Sequence, residues 1–217
     1  LVAIPDDRSH RDHELPGRRR AAKAAEEVEI EAASPSGPRA RDLGVPFEGA
    51  PGPLNAITDV AGVTVGQTTL IEDLANGRKV RTGVTAILPR GRDSITTPVF
   101  AGDHVLNGAG ELTGRAWIEE GGMLEGPVML TNTHSVGTVH EATIAWRVRN
   151  GNPDASGYWW STPVVAETWD GELNDINGFH VKAAHVDAAL DGARGIARLY
   201  VGEDVENLLL KLLHAAD

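Results

Sequence analysis

From Arg41 onward the chain is cut into short β-rich runs, each bounded by proline or glycine, and this punctuation most constrains its fold. Val63-Thr64-Val65 and Thr68-Thr69-Leu70 flank Gly66, which predicts one strand bent at the glycine. Val80 to Leu88 alternates, is rich in β-branched residues, and is expected to stop at Pro89. Pro98-Val99-Phe100-Ala101 and Pro127-Val128-Met129-Leu130 are short apolar runs opening on proline, which suits a first strand position. Pro163-Val164-Val165-Ala166 reads as a further buried strand. Between them, Thr138 to Val148 has a helical stripe of Val139, Ala142 and Trp146, with Thr138 as the expected cap. Ala183 to Leu190 is also helical, with Ala183, Val186 and Leu190 on one face. Strands follow one another too often for simple βαβ alternation, so the expected class is α/β, a sandwich with a mixed sheet.

The two ends read differently. Residues 1–40 hold Arg18-Arg19-Arg20, an Ala/Glu-rich stretch from Ala21 to Ala33, and the linker Ser34-Pro35-Ser36-Gly37-Pro38. Only Val28 and Ile30 are bulky and apolar within the Ala/Glu stretch, too few for a buried face, so a mobile arm is expected. The arginine cluster reads as solvated. The chain opens on Leu1 rather than Met, which suggests a processed or partial chain, and residues 1–20 lack the apolar run of an intact signal peptide. At the other end, Val205, Leu208, Leu209 and Leu212 make one helical stripe, with Glu203 and Asp204 at its start and Lys211 and His214 near its end. Leu208, Leu209 and Leu212 are expected to be buried.

Composition excludes several classes. The 20 Lys and Arg against 31 Asp and Glu leave a net charge of −11, which disfavours a nucleic-acid surface or an anionic membrane. No apolar run approaches the ~20 residues of a spanning helix. Absence of cysteine removes disulfides, thiol nucleophiles and cysteine-built metal sites. A soluble chain is expected, in either periplasm or cytoplasm.

Candidate chemistry gathers in two stretches. Leu130-Thr131-Asn132-Thr133-His134-Ser135-Val136-Gly137 runs from a strand end into a helix start, a place for a polar pocket floor or simply for a turn. In Pro163 to Gly178, Glu167 closes an apolar strand, and a carboxylate there must find a partner or line a cleft that can take a cation. Asn174, Asp175 and Asn177 read as turn formers. Asp103-His104, His134, His140-Glu141 and Asp175 lack zinc-helix spacing and read as turn and surface groups. Gly108-Ala109-Gly110 lacks the rest of a phosphate loop and reads as a turn.

These stretches resemble the DmpA-type L-aminopeptidase/D-esterase family, peptidase family S58, which includes the β-peptidyl aminopeptidases. The resemblance opens at Arg41-Asp42-Leu43-Gly44-Val45-Pro46-Phe47 and Pro51-Gly52-Pro53-Leu54-Asn55-Ala56-Ile57-Thr58-Asp59-Val60. It continues through Arg81 to Pro89, Asn107 to Gly114, Gly126-Pro127-Val128, Thr131-Asn132-Thr133-His134 and Pro163 to Gly178, covering residues 41–194.

The resemblance implies an αββα sandwich, incomplete in this chain, with 41–195 as the α-chain-like domain and 196–217 as a divergent helical segment. It implies a precursor that cuts itself before a Ser, whose hydroxyl then attacks as the N-terminal residue of a complementary β chain. Glu167 would hold the substrate's free amino group, Asn132 would line the substrate site, and Trp169 would lend its backbone N–H to the oxyanion hole. The family usually has Tyr or another residue where this chain has Trp169, a change that a backbone role tolerates. No cofactor and no metal is implied. Substrates would be peptides, aminoacyl amides or esters, and the assembly an oligomer. The nucleophile is expected to be absent from this chain: Ser94, Ser135, Ser156 and Ser161 are internal, and none lies in a Gly-x-Ser-x-Gly elbow. Alone, the chain is expected to be inactive. The alternative reading is a non-catalytic scaffold derived from the same family.

Overall fold

The computed structural model describes residues 40–105, 107–151, 156–157 and 160–195. The predicted arm, apart from its last residue, and the predicted 196–217 helix with Leu208, Leu209 and Leu212 lie outside the described residues.

In chain order the elements are β1 (Thr64–Asp73), β2 (Lys79–Arg92), β3 (Val99–Phe100), α1 (Arg115–Gly121), β4 (Met123–Leu124), β5 (Val128–Asn132), α2 (Val136–Asn150), β6 (Val164–Thr168) and α3 (Ala183–Asp191). The main sheet has the order β1-β2-β5-β6, and β3 pairs with β4 in a small sheet. β1 and β5 flank β2 antiparallel, whereas β5 and β6 run parallel. Parallel neighbours need a crossover rather than a tight turn, and α2 supplies it.

One face of this sheet carries the core. Val84, Ala86 and Leu88 alternate along β2 and join Met129 of β5 and Val165 of β6. Onto them pack Val136, Val139, Ala142 and Trp146 of α2 and Val186, Ala189 and Leu190 of α3. Trp146 is fully buried, and its Nε1 donates to Asp191 Oδ1 at 2.9 Å, joining the two helices. On the opposite face Ile118 of α1, Leu124 of β4 and Val164 of β6 form a smaller cluster. Ile87 and Leu130 on that face are only half-buried. The described residues therefore make one helical layer and one main sheet of an α/β sandwich, with no second large sheet among them.

Several sequence expectations need correction. β1 runs as one strand across Gly66, as expected, but the glycine serves more than the strand itself. A Cβ at Gly66 would fall on the carbonyl oxygen of Ala189, so the glycine lets α3 approach the sheet. β2 runs past Pro89 to Arg92. Its last partner on β1 is Thr64, opposite Leu88, and β5 pairs only with Val84 to Ile87, so the missing Pro89 N–H lies beyond both ladders. Thr138 is inside α2, which starts without a side-chain cap; Asn132 instead caps the preceding turn Thr133–Ser135, accepting the Ser135 N–H at 3.1 Å. Ala183 is exposed, and Ala189 takes the core position. In the Pro98 run β3 pairs with β4 through only two residues, and Phe100 is 91% exposed. Arg147 is buried on α2 and donates to the carbonyls of Ile95 at 3.0 Å and Glu125 at 3.2 Å and to Ser161 Oγ at 2.7 Å. That burial pulls its pKa below the ordinary arginine value.

Candidate active site

The parallel strands β5 and β6 end together, with Thr131 opposite Glu167 and Asn132 opposite Thr168. The space beyond the carboxyl ends of parallel strands is a common ligand position in α/β sheets. Three segments meet there: the turn Thr133–Ser135 leading into α2, the turn that follows β6, and the stretch from Asn107 to Thr113. The last of these lies along the free edge of β6. Glu167 N donates to Glu111 O at 3.1 Å, Thr113 N to Val165 O at 3.1 Å, and Val165 N to Thr113 Oγ1 at 2.9 Å. The Gly108-Ala109-Gly110 run is a turn in which Asn107 Oδ1 accepts from the Ala109 N–H at 2.9 Å.

Glu167 is half-buried at this junction. Its Oε2 accepts the hydroxyl of Thr133. Its Oε1 faces the exposed Gly110, where a Cβ would sit 3.4 Å away. One carboxylate oxygen is thus anchored, and the other looks toward a turn without side-chain bulk. An ammonium placed there would make a charge-assisted hydrogen bond in a partly desolvated site, stronger than a neutral one.

Asn132 is buried beside it, but its amide is directed inward. Nδ2 donates to Thr82 Oγ1 at 2.8 Å, and Oδ1 accepts from Ser135 N. It ties β5 to β2 and orients the turn that carries Thr133. Trp169 directly follows β6 and is 59% exposed, with its ring over Gly171. The backbone before it is held where Thr168 Oγ1 donates to Thr131 O at 3.3 Å.

Beyond Trp169 the predicted turn formers do more than turn. Asn174 is 6% exposed. It donates from Nδ2 to Asp170 Oδ1 at 3.1 Å and accepts the Arg81 N–H on Oδ1 at 3.1 Å. Asp175 N donates to Lys79 O at 2.7 Å. The Asp175 carboxylate meets His180 Nε2 at 3.2 Å and Arg78 Nη1 at 2.7 Å. The His180 hydrogen bond, and then Arg78, hold the Asp175 carboxyl below the usual carboxylate range. Asn174 and Arg81 are 93 residues apart, so no local pattern signals their contact. Within the Leu130–Gly137 stretch nothing local marks Thr133 as the partner of Glu167; its position one residue past a strand end places it beside whatever the next parallel strand presents.

His134 is exposed and stacks on Phe179 with ring centroids 5.9 Å apart. Among the described residues no group of three or more His, Asp or Glu side chains is placed to hold a metal, and no helix is long and apolar enough to cross a membrane.

Residues 55–203 match peptidase family S58, a span that runs past residue 194, where the motif resemblance ends. The chain is 58% identical over 166 residues to the β-peptidyl aminopeptidase BapA of Sphingosinicella microcystinivorans, covering 75% of this chain and 41% of that protein. It is 52% identical over 169 residues to the β-peptidyl aminopeptidase BapA of Sphingosinicella xenopeptidilytica. Among solved structures it is similar to the L-aminopeptidase D-Ala-esterase/amidase of Ochrobactrum anthropi, described as a variant of the Ntn-hydrolase fold. There the TM-score is 0.66 at 53% identity, over 73% of this chain and 45% of that one. A Burkholderia β-aminopeptidase matches with a TM-score of 0.65 at 51% identity. The chain spans about two-fifths of the length of the curated relatives it matches, 41% in each case. With residues 55–203 matched and the same α/β architecture in its structural relatives, this chain belongs to peptidase family S58.

Proposed function

We propose that this chain is the amine-recognising part of a serine aminopeptidase that removes the N-terminal residue of peptides, aminoacyl amides or esters. The half-buried Glu167 carboxylate, anchored by Thr133 and open toward Gly110, carries this reading. An enzyme that acts only at a free N-terminus must bind an ammonium, and a desolvated carboxylate is the group for that task. In this reading Glu167 receives the substrate ammonium, and Asn132 keeps the Thr133 turn in place rather than touching substrate, since its amide is already bonded to Thr82 and Ser135. The Trp169 backbone N–H is one donor to the oxyanion, worth about 3 kcal/mol in the transition state.

The nucleophile is a Ser at the N-terminus of a complementary chain. Its hydroxyl oxygen bonds to the scissile carbonyl carbon, and its proton passes to its own amine and then to the leaving group. Water hydrolyses the resulting ester. The two chains assemble as an oligomer.

The test uses p-nitroanilides with free and acetylated amines, supplied to the chain alone and with a complementary chain beginning at Ser. Nitroaniline release is expected only from the assembly and only for the free amine. Glu167→Gln should raise KM for the free-amine substrate about tenfold or more. Equal hydrolysis of blocked and free anilides would overturn the proposal.

A further inference from the structure

A backbone N–H stabilises an oxyanion only when it is held in place before the reaction begins. The Trp169 side chain gives it little hold, since the residue is 59% exposed with its ring resting over Gly171. The peptide must therefore be fixed from its flanks. On one side Thr168 is paired with β5. On the other side stands Asp170, which is buried and begins the turn that receives the Leu173 and Asn174 N–H groups on its carbonyl, at 3.0 and 2.9 Å.

We propose that Asn174 is a positioning residue for the reaction, locking the Trp169 peptide by bonding the Asp170 turn to β2. The inference rests on the aminopeptidase reading above. β5 leaves β2 after Val84, opposite Thr131, yet β2 begins five residues earlier at Lys79. At Arg81 one edge of β2 is paired with Ile71 of β1, and the N–H on the other edge donates to Asn174 Oδ1. The Asn174 amide thus takes the place of a missing strand. Its Nδ2 meanwhile holds Asp170 Oδ1, and Asp175 N adds a bond to Lys79 O. The turn beyond Trp169 is thereby attached to the rigid β1–β2 ladder as well as to β6. Asn suits the position because it presents one acceptor and one donor from a single short side chain. Glu167 lies upstream of the turn, where its carboxylate accepts from Thr133 and its N–H donates to Glu111 O, so amine binding is separable from this attachment.

The experiment compares Asn174→Leu, which keeps the shape and removes both bonds, with a swap that joins Asp170→Asn to Asn174→Asp. The swap restores a donor–acceptor pair between the two positions and keeps an acceptor for Arg81 N–H. In the assembled enzyme Asn174→Leu should lower kcat about tenfold to a hundredfold and leave KM for free-amine anilides within about twofold. The swap should recover kcat to within about threefold of the parent. Amide hydrogen exchange should show faster exchange at Trp169 and Asp170 in Asn174→Leu, with α2 and α3 unchanged. Parent-like kcat in Asn174→Leu overturns the inference, and so does a loss that appears in KM. If Asn174→Leu does not fold, the swap decides alone: a folded swap with kcat down by more than about tenfold overturns the proposal. A parent assembly that releases no nitroaniline overturns the aminopeptidase reading and this inference with it, whereas an active parent with an indifferent Asn174 overturns this inference only.

Discussion

On its helix-covered face the main sheet is joined to α2 and α3 almost wholly by apolar contacts. At the carboxyl ends of β5 and β6 the joins are instead single polar groups reaching across long stretches of chain. Thr131 Oγ1 donates to Gly83 O, Asn132 Nδ2 to Thr82 Oγ1, and the Arg81 N–H to Asn174 Oδ1. Apolar packing is a sum of many small, non-directional terms, so it tolerates changes that keep volume. A buried hydrogen bond depends on two named atoms, and losing one leaves the other desolvated and unpaired. The core should therefore respond to volume, and the strand-end region to donor and acceptor identity.

The strongest way to test that contrast is to remove the largest core side chain. Trp146→Ala should cost about 4 kcal/mol, through the cavity and the lost partner of Asp191. Urea unfolding followed by circular dichroism would measure it, and a loss near 1 kcal/mol or less would mean that α2 packs loosely. Gly66→Ala comes next. The new methyl would meet the Ala189 carbonyl, and the shift of α3 should cost about 2–3 kcal/mol in thermal unfolding. A near-neutral alanine would restore the simpler idea that Gly66 only bends the strand.

Thr133→Val tests the other region. It keeps the shape and removes the hydroxyl that anchors Glu167 Oε2. In the assembled enzyme it should weaken free-amine binding by about 1 kcal/mol while barely moving the melting temperature. A loss that appears in kcat rather than in KM would place Thr133 in the scaffold rather than in amine recognition.

Asp175→Asn sharpens the contrast through pH. The Asp175 pKa is depressed by His180 first and Arg78 second, so its carboxylate stabilises the fold above the ordinary carboxylate pKa of about 4. That stability is lost as pH falls through the lower folded value. The substitution should lower the melting temperature at pH 6, and the deficit should shrink as pH falls below about 4. A deficit independent of pH would mean that the carboxylate charge is not what matters. The smallest effect is expected at Phe100, which is 91% exposed: Phe100→Ser should stay within about 0.5 kcal/mol of the parent in the same unfolding assay.

The amino-acid sequence alone determined the elements of the core, because strand alternation and helical stripes are local patterns that burial against any apolar surface will satisfy. Val84, Ala86 and Leu88 announce a strand face, and Val139, Ala142 and Trp146 a helix face, without reference to their partners. The class of the fold and the place of Glu167 at the end of an apolar strand were legible for the same reason. The short helix α1 was not, since Ile118 is its one buried apolar side chain and a single residue has no period. Tertiary structure alone decided which groups meet at the strand ends. Glu167 finds Thr133 across 34 residues and Arg81 finds Asn174 across 93, while Gly66 owes its identity to the backbone of α3. A turn-forming Asn and a strut-forming Asn look alike in sequence, because what separates them is the donor or acceptor that the folded chain brings within about 3 Å.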